Sequence, residues 1–365
     1  MKRTAQYVTT GLFFLFLLGL GLVHLLLPDR SFSPVENRNL SQLPSFSWAA
    51  LADGSYTADL ETYLADQFPG RDSWMGLQAR WQWLLGRREF NGVFLCGDTL
   101  ISQVTDNSLG ERNLGYIASL AQRTDIPVCL GLIPTAAEIW REKLPEGAWS
   151  YDQLAFLERA RDLDVTWVDM AAALGAHREE PIYYRTDHHW TSLGAYYGYT
   201  ALMEALGERP KALGDGETVS KNFNGTLYST SGVHWLAPDT IQRYVTGEGV
   251  TVEDVYAGAT HGLYVDSFLE EKDQYAFFLG GNGPLYIVRN PGAALDRKLL
   301  VVRDSYSDSL APFLSQSFSE VHLLDLRYYR TSVARYAQER GIDQIFICYS
   351  VENFLRDADA VFLGQ

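Results

Sequence analysis

Two short stretches of the sequence carry side chains whose types and order suit nucleophilic catalysis. The first, TDHHWT, places Asp187 before the adjacent histidines His188 and His189 in a chain with only seven histidines. The second, VVRDSYSDS, places Ser305 after an apolar run that is followed by Arg303 and Asp304. A serine hydroxyl is a weak nucleophile until a base accepts its proton, and a third group, usually a carboxylate, holds that base in place. Together the two stretches contain all three kinds of group.

The spacing of the aspartate and the histidines indicates which imidazole acts as the base. Residues two apart on an extended or turn segment point to the same side. Asp187 is therefore expected to orient His189, while His188 faces elsewhere. The alternatives are a loop histidine that binds a backbone carbonyl, and a purely capping role for the serine-rich stretch, with Ser307 or Asp308 as N-cap.

A metal site is the competing chemical hypothesis for the same residues. Its ligands are Asp187, His188 and His189, with Asp304 as a fourth. Side chains of adjacent histidines usually diverge, and no further cluster of histidines and carboxylates has the spacing to complete four ligands. The sequence therefore predicts a site without metal, and no cofactor is expected.

The predicted elements bring these stretches to the edge of a sheet. Ser305 follows a β-branched strand predicted at 298–302 and precedes a helix predicted at 307–318. Ligands bind at the carboxyl ends of strands in open α/β sheets, and a helix N-terminus favours an oxyanion. Thr191, just after the histidine pair, is the predicted N-cap of a helix that runs to Leu206.

Short apolar runs alternate with amphipathic helices along most of the chain, which is typical of a parallel sheet with helices on its faces. The remaining strands are predicted at 126–133, 165–169, 321–324 and 344–347, and the remaining helices at 114–123, 136–144, 152–163 and 332–340. Residues 216–290 are instead rich in Tyr, Gly and Thr without a helical period, which predicts a β-rich insertion. The predicted fold class is therefore α/β.

The N-terminus predicts a membrane anchor. Residues 7–27 form an apolar run that is long enough to span a hydrocarbon core of about 30 Å, and Lys2 and Arg3 precede it. The positive-inside rule then places the rest of the chain outside the cytoplasm, at the cell membrane. A cleaved signal peptide is the alternative, but the run ends in LLLP rather than in small residues.

Three regions follow from these patterns. They are an anchor at 1–28, an arm with a helical lead-in at 29–95, and an α/β domain at 96–365. In the lead-in, two helices are predicted on either side of Pro69-Gly70, and a hairpin that turns at Gly97-Asp98 follows them.

Composition is that of a folded globular protein and excludes nucleic acid as a partner. The chain is 47% hydrophobic and 21% charged. Its 30 Lys and Arg against 45 Asp and Glu give a net charge of −15, which repels phosphate backbones. The three cysteines are an odd number in apolar settings, so buried free thiols are predicted rather than a disulfide framework.

Several motifs resemble the DHHW protein family, relatives of the alginate acetylation proteins in the SGNH-hydrolase-like superfamily. They are RTDHHWT, DSYSDSLAPFL and VHLLDLRYY, with ENRNLSQLPSFSW and LADQFPGRDSW nearer the N-terminus. The resemblance covers nearly the whole chain after the apolar run. It implies an SGNH-like, flavodoxin-like sheet with a circularly rearranged motif order in which Asp and His precede Ser. It also implies O-acetyl transfer to a surface polysaccharide, with a multi-span membrane acyltransferase passing the acetyl group outward.

The resemblance also implies roles for individual residues. Ser305 matches the nucleophile, His189 the base and Asp187 the orienting acid. Three further residues are candidates for oxyanion or substrate binding. They are Arg327, which matches an arginine near the site, Asn353, which resembles an oxyanion asparagine by its place after a strand, and Tyr306, next to the serine.

Those additional assignments have alternatives, and one position departs from the family pattern. Arg327 could instead pair with Asp325 or Asp304, and Asn353 could cap a helix.

Arg303 stands where a glycine usually precedes the Asp-Ser pair, and it is expected to crowd the turn.

The leading hypothesis is an extracytoplasmic, membrane-anchored O-acetyltransferase that passes an acetyl group through Ser305 to a sugar hydroxyl of a polysaccharide. One alternative is a non-catalytic scaffold that binds glycan or an acyltransferase partner. Another is a carbohydrate esterase, in which water replaces the sugar as acceptor without any change in the three catalytic groups.

Overall fold

A computed structural model describes residues 2–36, 38–106 and 108–365 of the chain. These residues form two compact units, one of Met1–Arg87 with Gly232–His234, and one of Arg88–Ser231 with Trp235–Gln365. The sequence-based boundary at residue 95 lies inside the second unit. The reason is that the hairpin around it carries Ile101, which belongs to the core of that unit.

The first unit is mainly helical. Its elements are α1 (Lys2–Leu26), β1 (Phe32–Ser33), β2 (Arg38–Asn39), α2 (Trp48–Asp53), α3 (Ser55–Asp66) and α4 (Arg71–Leu84). Within α1, Gln6–Leu26 is long and apolar enough to cross a membrane, so it fits a membrane anchor or a signal sequence. The predicted break between two helices at Pro69-Gly70 is confirmed, because Gly70 adopts a φ of 69° just before α4.

The arm of the first unit is fastened by buried and half-buried ion pairs. Arg38 donates to both oxygens of Asp66 at 2.9 and 2.5 Å, and Arg71 contacts Glu36. Hydrogen bonding from Arg38 lowers the pKa of Asp66 to about 2, against the opposing effect of burial. These ion pairs hold in place a segment whose apolar residues recur with neither the period of a helix nor that of a strand.

The described residues of the second unit include thirteen strands. They are β3 (Glu89–Phe90), β4 (Val93–Cys96), β5 (Thr99–Ser102), β6 (Val128–Ile133), β7 (Thr166–Trp167), β8 (Glu217–Phe223), β9 (Asp239–Arg243), β10 (Thr251–Asp254), β11 (Ala259–His261), β12 (Leu285–Arg289), β13 (Leu295–Arg303), β14 (Phe318–Leu324) and β15 (Gln344–Ser350). The hairpin predicted at Gly97-Asp98 is confirmed, with Cys96 paired to Thr99.

The helices of the second unit lie between these strands in the chain. They are α5 (Gly110–Arg123), α6 (Ala136–Ile139), α7 (Gln153–Arg161), α8 (Met170–Ala176), α9 (Ser192–Ala205), α10 (Thr226–Ser231), α11 (Tyr306–Ser317), α12 (Val333–Arg340) and α13 (Val351–Phe354), with short 3-10 turns at Arg141–Lys143, Asp266–Glu270, Gln274–Phe277 and Asp359–Leu363. The N-cap predicted at Thr191 is confirmed, because its hydroxyl accepts the amide of Gly194.

An eight-stranded sheet forms the centre of the second unit, in the order β11-β10-β12-β14-β13-β15-β6-β7. The five strands from β14 to β7 are parallel, and the other three are antiparallel to their neighbours. Residues 299–302 of β13 are fully buried, as expected for a central strand covered on both faces. The predicted α/β fold with a parallel sheet flanked by helices is confirmed.

The β-rich stretch at 216–290 completes this sheet. It contains β8 to β12, of which β8 and β9 pair separately while β10, β11 and β12 extend the sheet beyond β14. It also contains the short helix α10 and two 3-10 turns. The predicted β-rich stretch is therefore confirmed, and three of its strands form one edge of the main sheet.

The cysteines are free thiols, and two of them are buried. Cys129 and Cys348 lie in the core, whereas Cys96 is partly exposed. Burial raises the pKa of Cys96 and of Cys129 to about 11, and it also raises that of Cys348. Such thiols are largely protonated at neutral pH and react slowly.

A close backbone approach at Gly194 generates a stability prediction. A Cβ on Gly194 would lie 2.3 Å from the carbonyl oxygen of Ile182 and 2.9 Å from the Cβ of Trp190. Gly194→Ala should therefore lower the free energy of unfolding by about 1–3 kcal/mol, because a backbone carbonyl must move. The measurement is thermal unfolding of the full chain in detergent.

Gly115→Ala in α5 is the matched control for that substitution. A Cβ on Gly115 meets nothing within 4 Å, and alanine favours a helix over glycine by about 1 kcal/mol. The control should keep or raise the unfolding temperature. Equal unfolding temperatures for Gly194→Ala and the parent chain would contradict the described contact.

Candidate active site

Ser305 lies where a central strand of the sheet ends and a helix begins. It follows β13, which ends at Arg303, and it is the N-cap residue of α11. β13 pairs with β14 on one side and β15 on the other, so Ser305 lies at the carboxyl edge of the parallel strands. This is the position at which α/β sheets bind ligands.

The carboxylate of Asp304 fixes the turn that carries Ser305. It accepts the amide of Tyr306 at 3.0 Å and the amide and hydroxyl of Ser350 at 2.9 and 2.8 Å. It also accepts the side-chain amide of Asn353 at 2.8 Å. These bonds join the end of β13 to the end of β15, so the backbone beside Ser305 is held by two neighbouring strands.

The structure brings Ser305, His189 and Asp187 together as a hydrogen-bonded series. The Ser305 Oγ lies 2.7 Å from the Nε2 of His189, and the Nδ1 of His189 lies 2.6 Å from the Oδ1 of Asp187. A carboxylate can only accept, so Nδ1 carries the hydrogen and Nε2 is the acceptor for the serine hydroxyl. All three side chains are buried, with exposed fractions of 9%, 5% and 4%. The geometry suits transfer of a proton from the serine to the imidazole.

Both carboxylate oxygens of Asp187 accept hydrogen bonds. Oδ1 also accepts the backbone amide of His189 at 3.0 Å, and Oδ2 accepts the amide and hydroxyl of Thr226 at 2.7 and 3.0 Å. Gly225 makes this approach possible, since a Cβ there would lie 2.2 Å from the Cβ of Asp187. Burial acts to raise the pKa of Asp187, but the charges of His188 and His189 and these hydrogen bonds hold it well below its usual range. The group therefore stays ionised at neutral pH.

The expectation that His188 faces away from His189 is wrong. The two ring centroids are 3.8 Å apart, and the Nδ1 of His188 lies 2.7 Å from the hydroxyl of Thr226. The reason is that residues 185–189 form bends and not an extended strand, so the two-residue alternation does not apply. Burial and the neighbouring His189 lower the pKa of His188 to about 4, which leaves it neutral at neutral pH.

The spacing of the histidine pair also fits a metal ion. Ligand atoms of Asp187, His188 and His189 all lie within 4.8 Å of one another. Asp304, the fourth ligand proposed from the sequence, is not in this group. Because Asp187 and His189 already bind each other, a metal ion would have to displace hydrogen bonds that the site makes.

Tyr275 covers one face of the His189 ring and was not singled out by the sequence. The two rings are parallel, with centroids 3.9 Å apart and an interplanar angle of 7°. The Tyr275 hydroxyl donates to the carbonyl of Ser305 at 3.1 Å and lies 3.0 Å from the Oγ of Ser309. Tyr275 therefore contacts both the imidazole and the turn that carries the serine.

Arg303, which was expected to crowd the turn before Asp304, does not separate Ser305 from His189. Its side chain is fully buried, and its guanidinium donates to Asp308, in the first turn of α11, at 2.5 Å. Burial raises the pKa of Asp308 to about 7, and the guanidinium of Arg303 opposes that rise.

The other residues proposed from the sequence lie near the series without joining it. Arg327 binds both oxygens of Asp325, at 2.9 and 2.6 Å, and Asn353 donates to Asp304. Tyr306 donates its hydroxyl to the carbonyl of His188 and its own carbonyl accepts the indole of Trp190 at 2.9 Å. Tyr306 therefore ties the histidine-bearing segment to α11.

A cavity of about 230 Å³ opens next to this site. Its lining includes His188, Tyr306, Thr230, Glu352, Asn353 and Asn91. Hydroxyl, amide and carboxyl groups therefore line it, together with the apolar side chains of Val93 and Leu227. Such a lining suits a ligand with several hydroxyl groups.

Two residues that contact Asp187 and His189 were not predicted, because no sequence pattern marks them. Thr226 and Tyr275 lie in the stretch without periodicity, far along the chain from both motifs. Only the richness of that stretch in tyrosine, glycine and threonine marks it as unusual.

Comparison with solved structures identifies relatives of this fold. A DHHW family protein from Eubacterium siraeum shares 24% identity with a TM-score of 0.65, over 75% of this chain and 95% of its own. PatB1 from Bacillus cereus, solved with a sulfonyl adduct, shares 21% identity with a TM-score of 0.61, over 75% and 98%. The O-acetyltransferase domain of AlgJ from Pseudomonas putida shares 18% identity with a TM-score of 0.46, over 73% and 93%.

Comparison of the sequence with curated proteins and with family profiles shows which family the chain belongs to. A search of curated proteins found no significant match. The sequence profile of the DHHW protein family matches residues 36–125 and 154–324, which is more than half of the chain and includes Asp187, His189 and Ser305. The chain therefore belongs to the DHHW protein family.

Proposed function

We propose that this protein is an O-acetyltransferase that acts on a polysaccharide outside the cytoplasm through an acetyl-serine intermediate. The observation that carries the proposal is the buried hydrogen-bonded series of Ser305, His189 and Asp187 at the carboxyl edge of the sheet. Such a series activates a hydroxyl and holds the imidazole in the tautomer that accepts its proton.

The proposed reaction has two balanced steps. In the first, the Ser305 oxygen attacks the carbonyl carbon of an acetyl ester while His189 accepts the serine proton. His189 then gives that proton to the oxygen of the leaving group, and the donor departs as an alcohol. In the second, a sugar hydroxyl attacks the acetyl-serine and gives its proton to His189, which passes it to Ser305 as the acetylated sugar departs.

The lining of the neighbouring cavity supports a sugar as the acceptor. Glu352 and Asn353 offer a carboxyl and an amide, and Thr230 offers a hydroxyl, for hydrogen bonds to sugar hydroxyls. The family resemblance supports the same substrate class. Water in place of the sugar would make the protein a carbohydrate esterase, and the products of the assay below separate the two activities.

The proposal also covers the location of the protein and a partner protein in the membrane. We infer that α1 is retained as a single membrane span, with the second unit outside the cytoplasm, since the apolar run lacks a small-residue cleavage site. The acetyl donor would then reach Ser305 from a multi-span membrane acyltransferase, as the family resemblance implies.

Removal of the nucleophile is the first test. Ser305→Ala should reduce hydrolysis of 4-nitrophenyl acetate by the full chain in detergent by at least about a thousandfold. Ser307→Ala, two residues further along the chain in α11 and also buried, is the matched control and should keep the activity. Acetylated oligosaccharide in the parent reaction identifies a transferase. Equal rates for parent and Ser305→Ala would refute catalysis and leave the non-catalytic scaffold.

A sulfonyl fluoride provides a second readout for the same pair of variants. Sulfonyl groups react with activated hydroxyl nucleophiles, and PatB1, which shares the fold, was solved with a sulfonyl adduct. Peptide mass spectrometry should find the adduct on Ser305 in the parent and in Ser307→Ala. An adduct only at other residues would contradict the proposed nucleophile.

Tyr275 is expected to position His189 and to stabilise its charged form. The parallel ring at 3.9 Å faces the imidazolium that forms when His189 accepts a proton, and a cation on an aromatic face gains about 1–2 kcal/mol. Tyr275→Leu should lower kcat about tenfold, since the imidazolium loses this support.

Tyr275→Phe separates the contribution of the aromatic ring from that of the hydroxyl. It keeps the stacking surface but loses the hydrogen bond to the Ser305 carbonyl, so its kcat should stay closer to that of the parent than the kcat of Tyr275→Leu does. Equal kcat values for the parent and Tyr275→Leu would show that Tyr275 has only a packing role.

A chelator distinguishes the proposed mechanism from the metal hypothesis. The oxygens of Asp187 already accept hydrogen bonds from His189 and Thr226, so activity should survive dialysis against EDTA within about twofold. Loss of activity that zinc restores would instead assign Asp187, His188 and His189 as metal ligands.

A further inference from the structure

Exposed apolar side chains are concentrated in the first unit. Beyond α1 and Leu27, thirteen large exposed apolar side chains lie between residues 32 and 85 of the part of the chain that the structure describes. Among the described residues after position 85, the exposed large apolar side chains are Trp149, Leu154, Tyr256 and Tyr328. A concentration of this kind marks an interaction surface, whereas single exposed apolar residues do not.

Four of these side chains form one face of α4. Trp74, Leu77, Trp81 and Leu84 follow a spacing of three, four and three residues, which places them on the same side of the helix. Their exposed fractions are 46%, 56%, 62% and 67%. A surface helix normally turns such a face toward the core, but here Ala79 is the buried residue of α4. We call these four residues the α4 stripe.

Direct contacts fasten α3 and α4 to the end of α1. The Tyr63 hydroxyl donates to Asp29 at 3.0 Å, and the backbone amide and guanidinium of Arg30 donate to Gln67 and Asp72 at 2.9 Å each. The ring of His24, inside α1, lies 6.1 Å from that of Tyr63. The α4 stripe is therefore held within a short reach of the point where α1 ends.

We propose that the α4 stripe lies in the interfacial layer of the phospholipid bilayer that α1 spans. This inference rests on the proposed retention of α1 as a membrane span. Tryptophan and leucine on one face of a helix are the side chains that favour the interface between headgroups and acyl chains.

The charge near the stripe supports lipid over a protein surface. Within the first unit, residues 71–87 contain three arginines, of which Arg71 pairs with Glu36, and one acidic residue, Asp72, in a chain whose net charge is −15. A local excess of arginine favours anionic headgroups at the membrane surface. Both the apolar and the charged side chains therefore match a lipid interface.

A spin label on the stripe measures its surroundings directly. The full-length chain with Leu77→Cys carries a nitroxide label and is reconstituted in vesicles of phosphatidylcholine and phosphatidylglycerol. Leu154→Cys is the matched control, because this leucine is also on a helix and is 48% exposed. The parent chain, labelled in parallel, gives the background from the slowly reacting native thiols.

Accessibility to oxygen and to a water-soluble nickel complex distinguishes the outcomes. The proposal predicts that the label at position 77 is more accessible to oxygen and less accessible to nickel than the label at position 154. Equal, water-like accessibility at both positions would overturn it. Protection of position 77 from both reagents, with dipolar coupling between labels, would instead indicate that a second copy covers the stripe.

Two further readouts on the same vesicles separate this proposal from the proposed function. Ester hydrolysis reports the Ser305 site independently of the label. A carbonate wash reports the anchor, and release of the protein would overturn both the span and the docking of α4. Retained, active protein with a water-exposed label at position 77 would overturn the docking alone.

Discussion

The structure of the site depends on a buried carboxylate that must be fully hydrogen-bonded. Asp187 is 4% exposed, and an ionised carboxyl away from water is unfavourable unless its oxygens find donors. His189 and Thr226 supply those donors. The same bonds that satisfy Asp187 fix the tautomer and the direction of His189, so the requirements for stability and for activating Ser305 coincide.

That requirement couples distant parts of the chain. Thr226 and Tyr275 come from the stretch that also supplies three strands to the edge of the sheet, and they contact Asp187 and His189 respectively. Trp190 and Tyr306 join the histidine segment to α11 through a hydrogen bond. The site therefore forms only when the edge strands, the central strand and the histidine segment are all in place.

The sequence predicted the parts of the fold and site that rest on local patterns. The buried run 299–302 marked a central strand, Thr191 marked a helix N-terminus, and the order of Asp187, His189 and Ser305 matched a known family. The direction of His188 and the contributions of Thr226, Tyr275 and Asp308 depend on bends and on contacts across the chain. Periodicity and short motifs carry no information about such contacts, and for that reason the sequence did not predict them.

Ser305 is proposed to carry the acetyl group between donor and acceptor. The decisive experiment is peptide mass spectrometry on the protein, quenched with acid within the first turnover of an acetyl ester. We expect one acetyl group on the peptide that contains Ser305, and we expect it to disappear when an acceptor oligosaccharide is added before the quench. Turnover of the ester with Ser305 unmodified at every time point, or with the acetyl group on another side chain, would show that Ser305 is not the carrier.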